Sequence, residues 1–107
     1  MDQNEPYYAV IFSSKRSEMD ELNYLEVAKR MASLASEQKG FMGMENVQDE
    51  HGMGIMISYW DSLEAIKGWN NQSAHNVAQK KGRDSWYDQF TVRICKVERM
   101  YDFSKAN

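Results

Sequence analysis

The stretch 53–69 reads MGIMISYWDSLEAIKGW, and the spacing of its apolar residues changes at Asp61. As far as Trp60, apolar side chains fall on both faces of an alternating pattern, which is typical of a strand covered on both sides. Beyond Asp61, apolar residues recur at the spacing of one helix face, at Leu63, Ile66 and Trp69. Asp61 can accept hydrogen bonds from the first free amides of this helix, and Glu64 can reach back to it. The stretch therefore predicts a buried strand that leads directly into an amphipathic helix.

The first half of the chain also alternates between strand and helix patterns. Tyr7 to Ser14 is rich in aromatic and β-branched residues and predicts a strand with two apolar faces. Met19 to Lys39 has helical spacing, and Gly40 is suited to end that helix in the left-handed conformation. The apolar stripe that we expect this helix to bury comprises Leu22, Leu25, Ala28, Met31, Ala32, Leu34 and Ala35. Phe41 to Gln48 predicts a second strand, which a short polar turn joins to the next strand as a hairpin.

The second half of the chain is predicted to hold a broken helix and one long strand. The polar run Asn70-Asn71-Gln72 weakens the helix, Ser73 can cap a second segment, and Gly82 can end it. Trp86 to Phe103 predicts the last strand, which is long for a single sheet. Its apolar residues change parity near Cys95, as happens at a bulge or where a strand leaves one surface for another. We therefore expect the end of this strand to pair with the sheet edge of a second copy of the chain.

These elements follow the order βαββαβ, which predicts an α+β domain with a ferredoxin-like antiparallel sheet and its helices on one face. The first and third strands have two apolar faces, so we expect them to be central. The helices can cover one face of the sheet, but the other face needs a cover that this chain does not supply. We therefore expect a homodimer in which two sheets pack face to face.

Length and composition narrow the class of protein. The 107 residues suit a single domain, which we place at residues 1–107. A net charge of −3 argues against a nucleic-acid partner, and short apolar runs without a long basic segment argue against a membrane partner. The single cysteine, Cys95, excludes an internal disulfide, and the stretch from Met1 to Pro6 is too polar for a signal peptide. We expect a cytoplasmic protein.

The stretch 58–69, followed by His75, has the features of a known family. It contains an aromatic pair at a strand end, a helix cap, a Glu-Ala pair, a Trp one turn further on, and a His after a helix break. In these features, and in the order of its elements over nearly the whole chain, the sequence resembles the antibiotic biosynthesis monooxygenase family. The resemblance implies a dimeric α+β barrel with a pocket in each subunit between helices and sheet. Some members oxidise aromatic phenols with molecular oxygen and without metal or flavin, and others bind and degrade haem.

The resemblance leaves two functions open for this chain. One is a cofactor-independent monooxygenase that acts on a small hydrophobic or aromatic molecule of the phenol or quinol type. The other is a non-catalytic module of the same fold that binds a small molecule or serves in a stress response. Haem degradation is disfavoured, because the haem-degrading members have a His ten residues after the Trp, where this chain has Gln79. We expect no cofactor and no metal, since the sequence has no phosphate-binding loop and no His or Cys cluster at metal spacing.

Five residues are candidates for the site. His75 could transfer a proton near neutral pH, and Asn70 could hydrogen-bond a carbonyl or a developing anion. Trp69 could form a flat wall for an aromatic ligand, with Phe12 and Ile57 as the floor on the sheet. Each of the first three also has a structural interpretation: His75 as a packed or surface histidine, Trp69 as core, and Asn70 as part of a helix break.

Overall fold

The computed structural model describes residues 5–18 and 21–105. Within them, four strands, three helices and one π-helical turn follow in the predicted order. They are β1 (Tyr7–Arg16), α1 (Glu21–Ser36), β2 (Phe41–Gln48), β3 (Met53–Trp60), α2 (Leu63–Asn70), α3 (Ser73–Lys81), the π-helical turn Gly82–Trp86, and β4 (Tyr87–Val97). The predicted start of the first helix at Met19 lies outside the described residues, and α1 ends at Ser36, before the predicted Lys39.

The four strands form one antiparallel sheet in the order β2-β3-β1-β4. The two central strands are β1 and β3, as the apolar character of both their faces predicted. Residues of even number on β1 and β3, such as Val10 and Ser58, lie opposite each other and face the helices. Because side chains alternate along a strand, Ile11 and its partner Ile57 lie on the other face. The predicted ferredoxin-like α+β fold is confirmed.

The residues that cap α2 and α3 differ from those predicted by one position each. Ser62 caps α2, because its backbone is extended (φ −158°, ψ 158°) and its hydroxyl accepts a hydrogen bond from the Ala65 amide at 3.1 Å. The prediction that Asp61 caps α2 was wrong. The Asp61 amide donates to the Gly40 carbonyl at 2.8 Å, and this hydrogen bond ties the end of β3 to the turn before β2. Gln72 rather than Ser73 caps α3.

The last strand is shorter than predicted. It ends at Val97, opposite the first residue of β1, because β1 offers no further residue with which to pair. Pairing with β1 is unbroken on either side of Cys95, so the explanation of the parity change by a bulge there is wrong; the only register shift along β4 lies at its start, next to the π-helical turn. Tyr101 and Phe103 lie beyond the strand and are 90% and 85% exposed.

As predicted, α3 ends at Gly82, which is its C-cap. Gly82 has right-handed backbone angles (φ −59°, ψ −47°), and the chain continues from it into the π-helical turn. Trp86 therefore belongs to that turn and not to the last strand. Among the described helices, none is long and apolar enough to cross a bilayer.

Candidate functional site

A cavity of about 210 Å³ lies between the helices and the helix-facing side of the sheet. Its lining is mainly apolar and comes from every helix and every strand. The sheet contributes Val10, Phe12, Met44, Met56, Ser58, Tyr87, Phe90, Val92 and Ile94. A mainly apolar cavity with a few convergent polar groups is the usual form of a small-molecule site.

His75 and Trp69 meet at one wall of this cavity. The break between α2 and α3 turns the chain so that the His75 ring stacks on the Trp69 indole, with the ring centroids 4.2 Å apart and the planes 16° apart. His75 Nδ1 lies 3.0 Å from the Trp69 carbonyl oxygen. Because a carbonyl oxygen only accepts hydrogen bonds, this contact assigns the proton to Nδ1. The other ring nitrogen, Nε2, then carries a lone pair when the ring is neutral.

The protonation of His75 follows from its surroundings. Burial lowers the pKa of His75 below its ordinary value of 6.5, and the hydrogen bond to the Trp69 carbonyl offsets part of that effect. Desolvation disfavours the charged imidazolium, so the ring is neutral at pH 7. A neutral imidazole with Nδ1 held by a carbonyl and Nε2 unprotonated is suited to accept a proton.

The wall behind His75 is built from two tryptophans. Trp69 stacks at 6.2 Å and 26° on Trp60, which is fully buried. The Trp60 indole N–H donates to the Ser58 hydroxyl at 2.9 Å, which holds that ring in one orientation. Trp69 and His75 form a flat side of the cavity, and Trp60 supports it from the core. Trp69 thus lines the cavity and packs against the core at the same time.

Asn70 and Gln79 form a polar edge on the same side. Asn70 is the last residue of α2, and its side-chain oxygen accepts a hydrogen bond from the Gln79 amide at 3.4 Å. Both residues line the cavity, although Asn70 is exposed. Since its oxygen takes this hydrogen bond, the NH₂ group of Asn70 is the part left to donate to a ligand.

Of the two predicted floor residues, the structure brings only one to the cavity. Phe12 lines it and stacks on Phe90 with the ring centroids 5.2 Å apart. Ile57 lies on the opposite face of the sheet, so its placement in the floor was wrong. A strand with apolar residues on both faces does not itself indicate which face the helices cover.

The sequence analysis missed an aromatic cluster that includes Tyr24 of α1 and Tyr87 of β4. The Tyr87 hydroxyl donates to the Tyr24 hydroxyl at 3.3 Å, and burial is the main cause that raises the pKa of Tyr87 above its ordinary value. The Tyr24 ring also contacts Trp86 edge to face. Leu22 and Leu25 are 86% and 52% exposed, so the predicted stripe of α1 was wrong at these two residues. The residues of α1 that line the cavity are Tyr24, Val27, Ala28, Met31, Ala32 and Ala35.

Comparison with known proteins identifies the family. The family model described as antibiotic biosynthesis monooxygenase matches residues 6–81. The uncharacterized protein YqjZ of Bacillus subtilis is 50% identical over 100 residues, which are 94% of this chain and 87% of that protein. The chain belongs to the antibiotic biosynthesis monooxygenase family, and the predicted resemblance is confirmed.

Two more distant relatives carry descriptions of activity. A protein of Pyricularia oryzae named jasmonate monooxygenase ABM is 27% identical over 94 residues; the match covers 84% of this chain and 43% of that longer protein. The solved structure of SnoaB, a cofactor-independent oxygenase from Streptomyces nogalater, has a TM-score of 0.67 and 13% identity, and it covers 94% of this chain and 99% of that one. At this identity the structural likeness shows a shared fold.

Proposed function

We propose that the protein is a cofactor-independent monooxygenase that oxidises a small aromatic substrate of the phenol or quinol type with molecular oxygen. The observation that carries the proposal is the His75–Trp69 pair at the wall of the cavity. The ring of His75 is held by a carbonyl, its pKa is lowered by burial, and Nε2 is left as a base. Membership of the family and the names of two relatives support the same activity.

In such a reaction, each residue of the site has one role. A phenolic substrate whose keto tautomer has an activated CH₂ group, as in an anthrone, transfers a proton from that group to His75 Nε2, and the carbanion that remains gives its electrons to oxygen. One oxygen atom becomes the carbonyl of the product and the other leaves as water with the two substrate hydrogens, so CH₂ and O₂ yield C=O and H₂O. Trp69 and Phe12 hold the ring of the substrate, and the Asn70 NH₂ group donates to its developing oxyanion. The apolar lining excludes water from the reacting carbon.

Oxygen uptake tests the proposal. An oxygen electrode would follow the purified protein with an anthrone, a hydroquinone and jasmonate, the last because one relative is named for it. We expect enzyme-dependent oxygen consumption with at least one of them and formation of the corresponding oxidised product by mass spectrometry. If none is consumed while an aromatic compound still binds, the function is that of a small-molecule-binding module, and His75 serves to pack α3 against Trp69.

Two further features belong to this proposal. We propose a homodimer, because apolar side chains on the open face of the sheet are exposed, among them Met53 (47%) and Ile55 (45%). We also propose a cytoplasmic location, since the single, half-buried Cys95 suits a reducing compartment.

Haem degradation is not part of the proposal. The cavity has Gln79 at the position where the haem-degrading members of the family have a His. His75, the histidine that does line the cavity, stands only six residues after Trp69 and lies flat against its indole. The cavity therefore lacks a histidine at the position from which the haem-degrading members ligate the iron. We expect haemin to be left intact in the presence of a reductant, which the Soret absorption band would report.

A further inference from the structure

A smaller groove of about 80 Å³ adjoins the cavity near the end of β1. The two spaces share four lining residues, which are Phe12, Tyr24, Met56 and Tyr87. The residues that line only the groove include Ser14, Arg16, Asn46 and Gln48. Alternation along the strands explains this change, because Ser14 and Arg16 continue the helix-facing row of β1 beyond Phe12. The helix-facing side of the sheet therefore runs from an apolar cavity to a polar groove.

Arg16 places a positive charge in this groove. Its guanidinium carbon lies 3.3 Å from the centroid of the Tyr24 ring, and its Nε donates to the Trp86 carbonyl at 3.4 Å. Among the described side chains, those of residues 5–18, 22–72 and 75–105, the two terminal nitrogens, Nη1 and Nη2, have neither a hydrogen bond nor a carboxylate partner. Arg16 is half-buried, so its charge is partly removed from water, and none of these described side chains supplies a counter-ion.

The terminal nitrogens of the Arg16 guanidinium, Nη1 and Nη2, are atoms with which arginine binds carboxylates. Arginine pairs with a carboxylate through two parallel N–H···O bonds, and such charge-assisted bonds are about twice as strong as neutral ones. The guanidinium lies over the face of the Tyr24 ring, and its Nε donates to the Trp86 carbonyl. These two contacts hold the Arg16 side chain in place before any ligand binds. Ser14 and Gln48 add a hydroxyl and an amide to the same groove.

We propose that Arg16 binds the carboxylate of a ligand whose apolar or aromatic body lies in the cavity. The substrate class is then an aromatic or alicyclic carboxylic acid, with the acid directed toward the end of β1 and the body against Phe12. The position of the body rests on the proposed function, in which Phe12 and Trp69 hold the ring. The acid subsite itself rests only on Arg16 and the groove.

A matched pair of probes tests the subsite without any turnover. Naphthalene-1-acetate and its neutral amide, naphthalene-1-acetamide, have the same two-ring body, and isothermal titration calorimetry gives the dissociation constant of each. We expect the acid to bind wild-type protein about tenfold more tightly or better, because charge-assisted hydrogen bonds are stronger than those of the neutral amide. Arg16→Gln should remove this preference and leave the affinity for the amide unchanged, whereas Arg16→Lys should keep part of it.

The control separates binding from packing. Arg83→Gln makes the same charge change on an exposed residue outside the groove, and it should leave the affinity for both probes unchanged. Thermal melts of all variants show whether Arg16 also stabilises the contact between β1 and the π-helical turn. Equal affinity of acid and amide for the wild type, equal losses for both in Arg16→Gln, or no binding of the acid at millimolar concentration would each overturn the proposal.

The binding experiment and the oxygen-uptake experiment can each succeed or fail independently of the other. Acid-selective binding that depends on Arg16 would stand even if no substrate were oxidised, and the site would then be a binding site for carboxylic acids. Oxidation of neutral phenols without acid-selective binding would support the monooxygenase and refute the role of Arg16.

Discussion

At the scale of single residues, the proposed chemistry depends on His75. Replacing His75 with Gln keeps a polar side chain but removes the base, so we expect the turnover number to fall about a hundredfold, the usual contribution of a positioned proton-transfer group. The dissociation constant of the substrate should change much less, because Trp69 and Phe12 still hold the ring. Steady-state kinetics together with equilibrium binding measure the two effects, and equal losses in both would assign His75 to binding rather than catalysis.

The lowered pKa of His75 gives a second measurement that needs no substrate. The folded state favours the neutral ring, so the unfolded state binds more protons as the pH falls below the ordinary pKa of 6.5. This contribution to stability is present above pH 6.5 and is lost as the pH falls through the lowered pKa of the folded state. The melting temperature of the wild type should therefore fall over that window more than that of His75→Gln, and parallel curves for the two proteins would contradict the lowered pKa.

At the scale of elements, Gly40 connects α1 to the sheet and to the start of α2. Its φ of +87° lies in the left-handed region, and a Cβ there would come within 2.5 Å of the Ala65 Cβ and of an Asp61 carboxylate oxygen. Left-handed backbone costs a residue with a side chain about 1–2 kcal/mol before any clash. We expect Gly40→Ala to lower the unfolding free energy by at least about 2 kcal/mol, measured by urea unfolding.

Gly68 supplies the control for this substitution. It lies in the interior of α2 and is exposed, and a Cβ there would meet no atom within 4 Å. Because Ala is a better helix former than Gly, Gly68→Ala should raise the unfolding free energy by up to about 1 kcal/mol. Should both variants shift stability in the same direction, Gly40 would not be the constrained junction between these elements.

At the scale of the whole molecule, no helix among residues 5–18 and 21–105 covers the second face of the sheet, and the segment after β4 leaves Tyr101 and Phe103 exposed. Burial of these groups against a second copy would remove apolar surface from water at about 25 cal/mol per Å². We expect light scattering coupled to size exclusion to give twice the chain mass of 12.5 kDa at micromolar concentration. A species at the chain mass would refute the homodimer.

The charged variant Tyr101→Lys should weaken this dimer. Tyr101 is 90% exposed in the single chain, so the substitution should not change the fold of the subunit. Leu22→Lys makes the same kind of change at an 86% exposed position on α1, and it should leave the mass unchanged. Dissociation by both variants or by neither would show that Tyr101 does not lie in the interface.

The order and type of the elements were readable from the sequence because they depend on local periodicity. The alternation in β3 and the helical spacing from Leu63 to Trp69 each specify one element through neighbouring residues. Trp69 followed from its helical spacing and Asn70 and His75 from their places at and after the helix break, and the structure places all three at one cavity. Their chemical roles remain predictions.

The tertiary structure decided the features that depend on contacts between distant segments. Ile57 and Phe12 are both apolar residues on two-sided strands, so only the packed helices determine that Phe12 faces the cavity. The cap of α2 moved to Ser62 because Asp61 is held by Gly40, which lies on another part of the chain. In the same way, Arg16 comes to lie between Tyr24 and the Trp86 carbonyl only when β1, α1 and the π-helical turn are assembled. A periodic pattern reports which face of an element is apolar, whereas the partner of that face is set by the free energy of packing the whole chain.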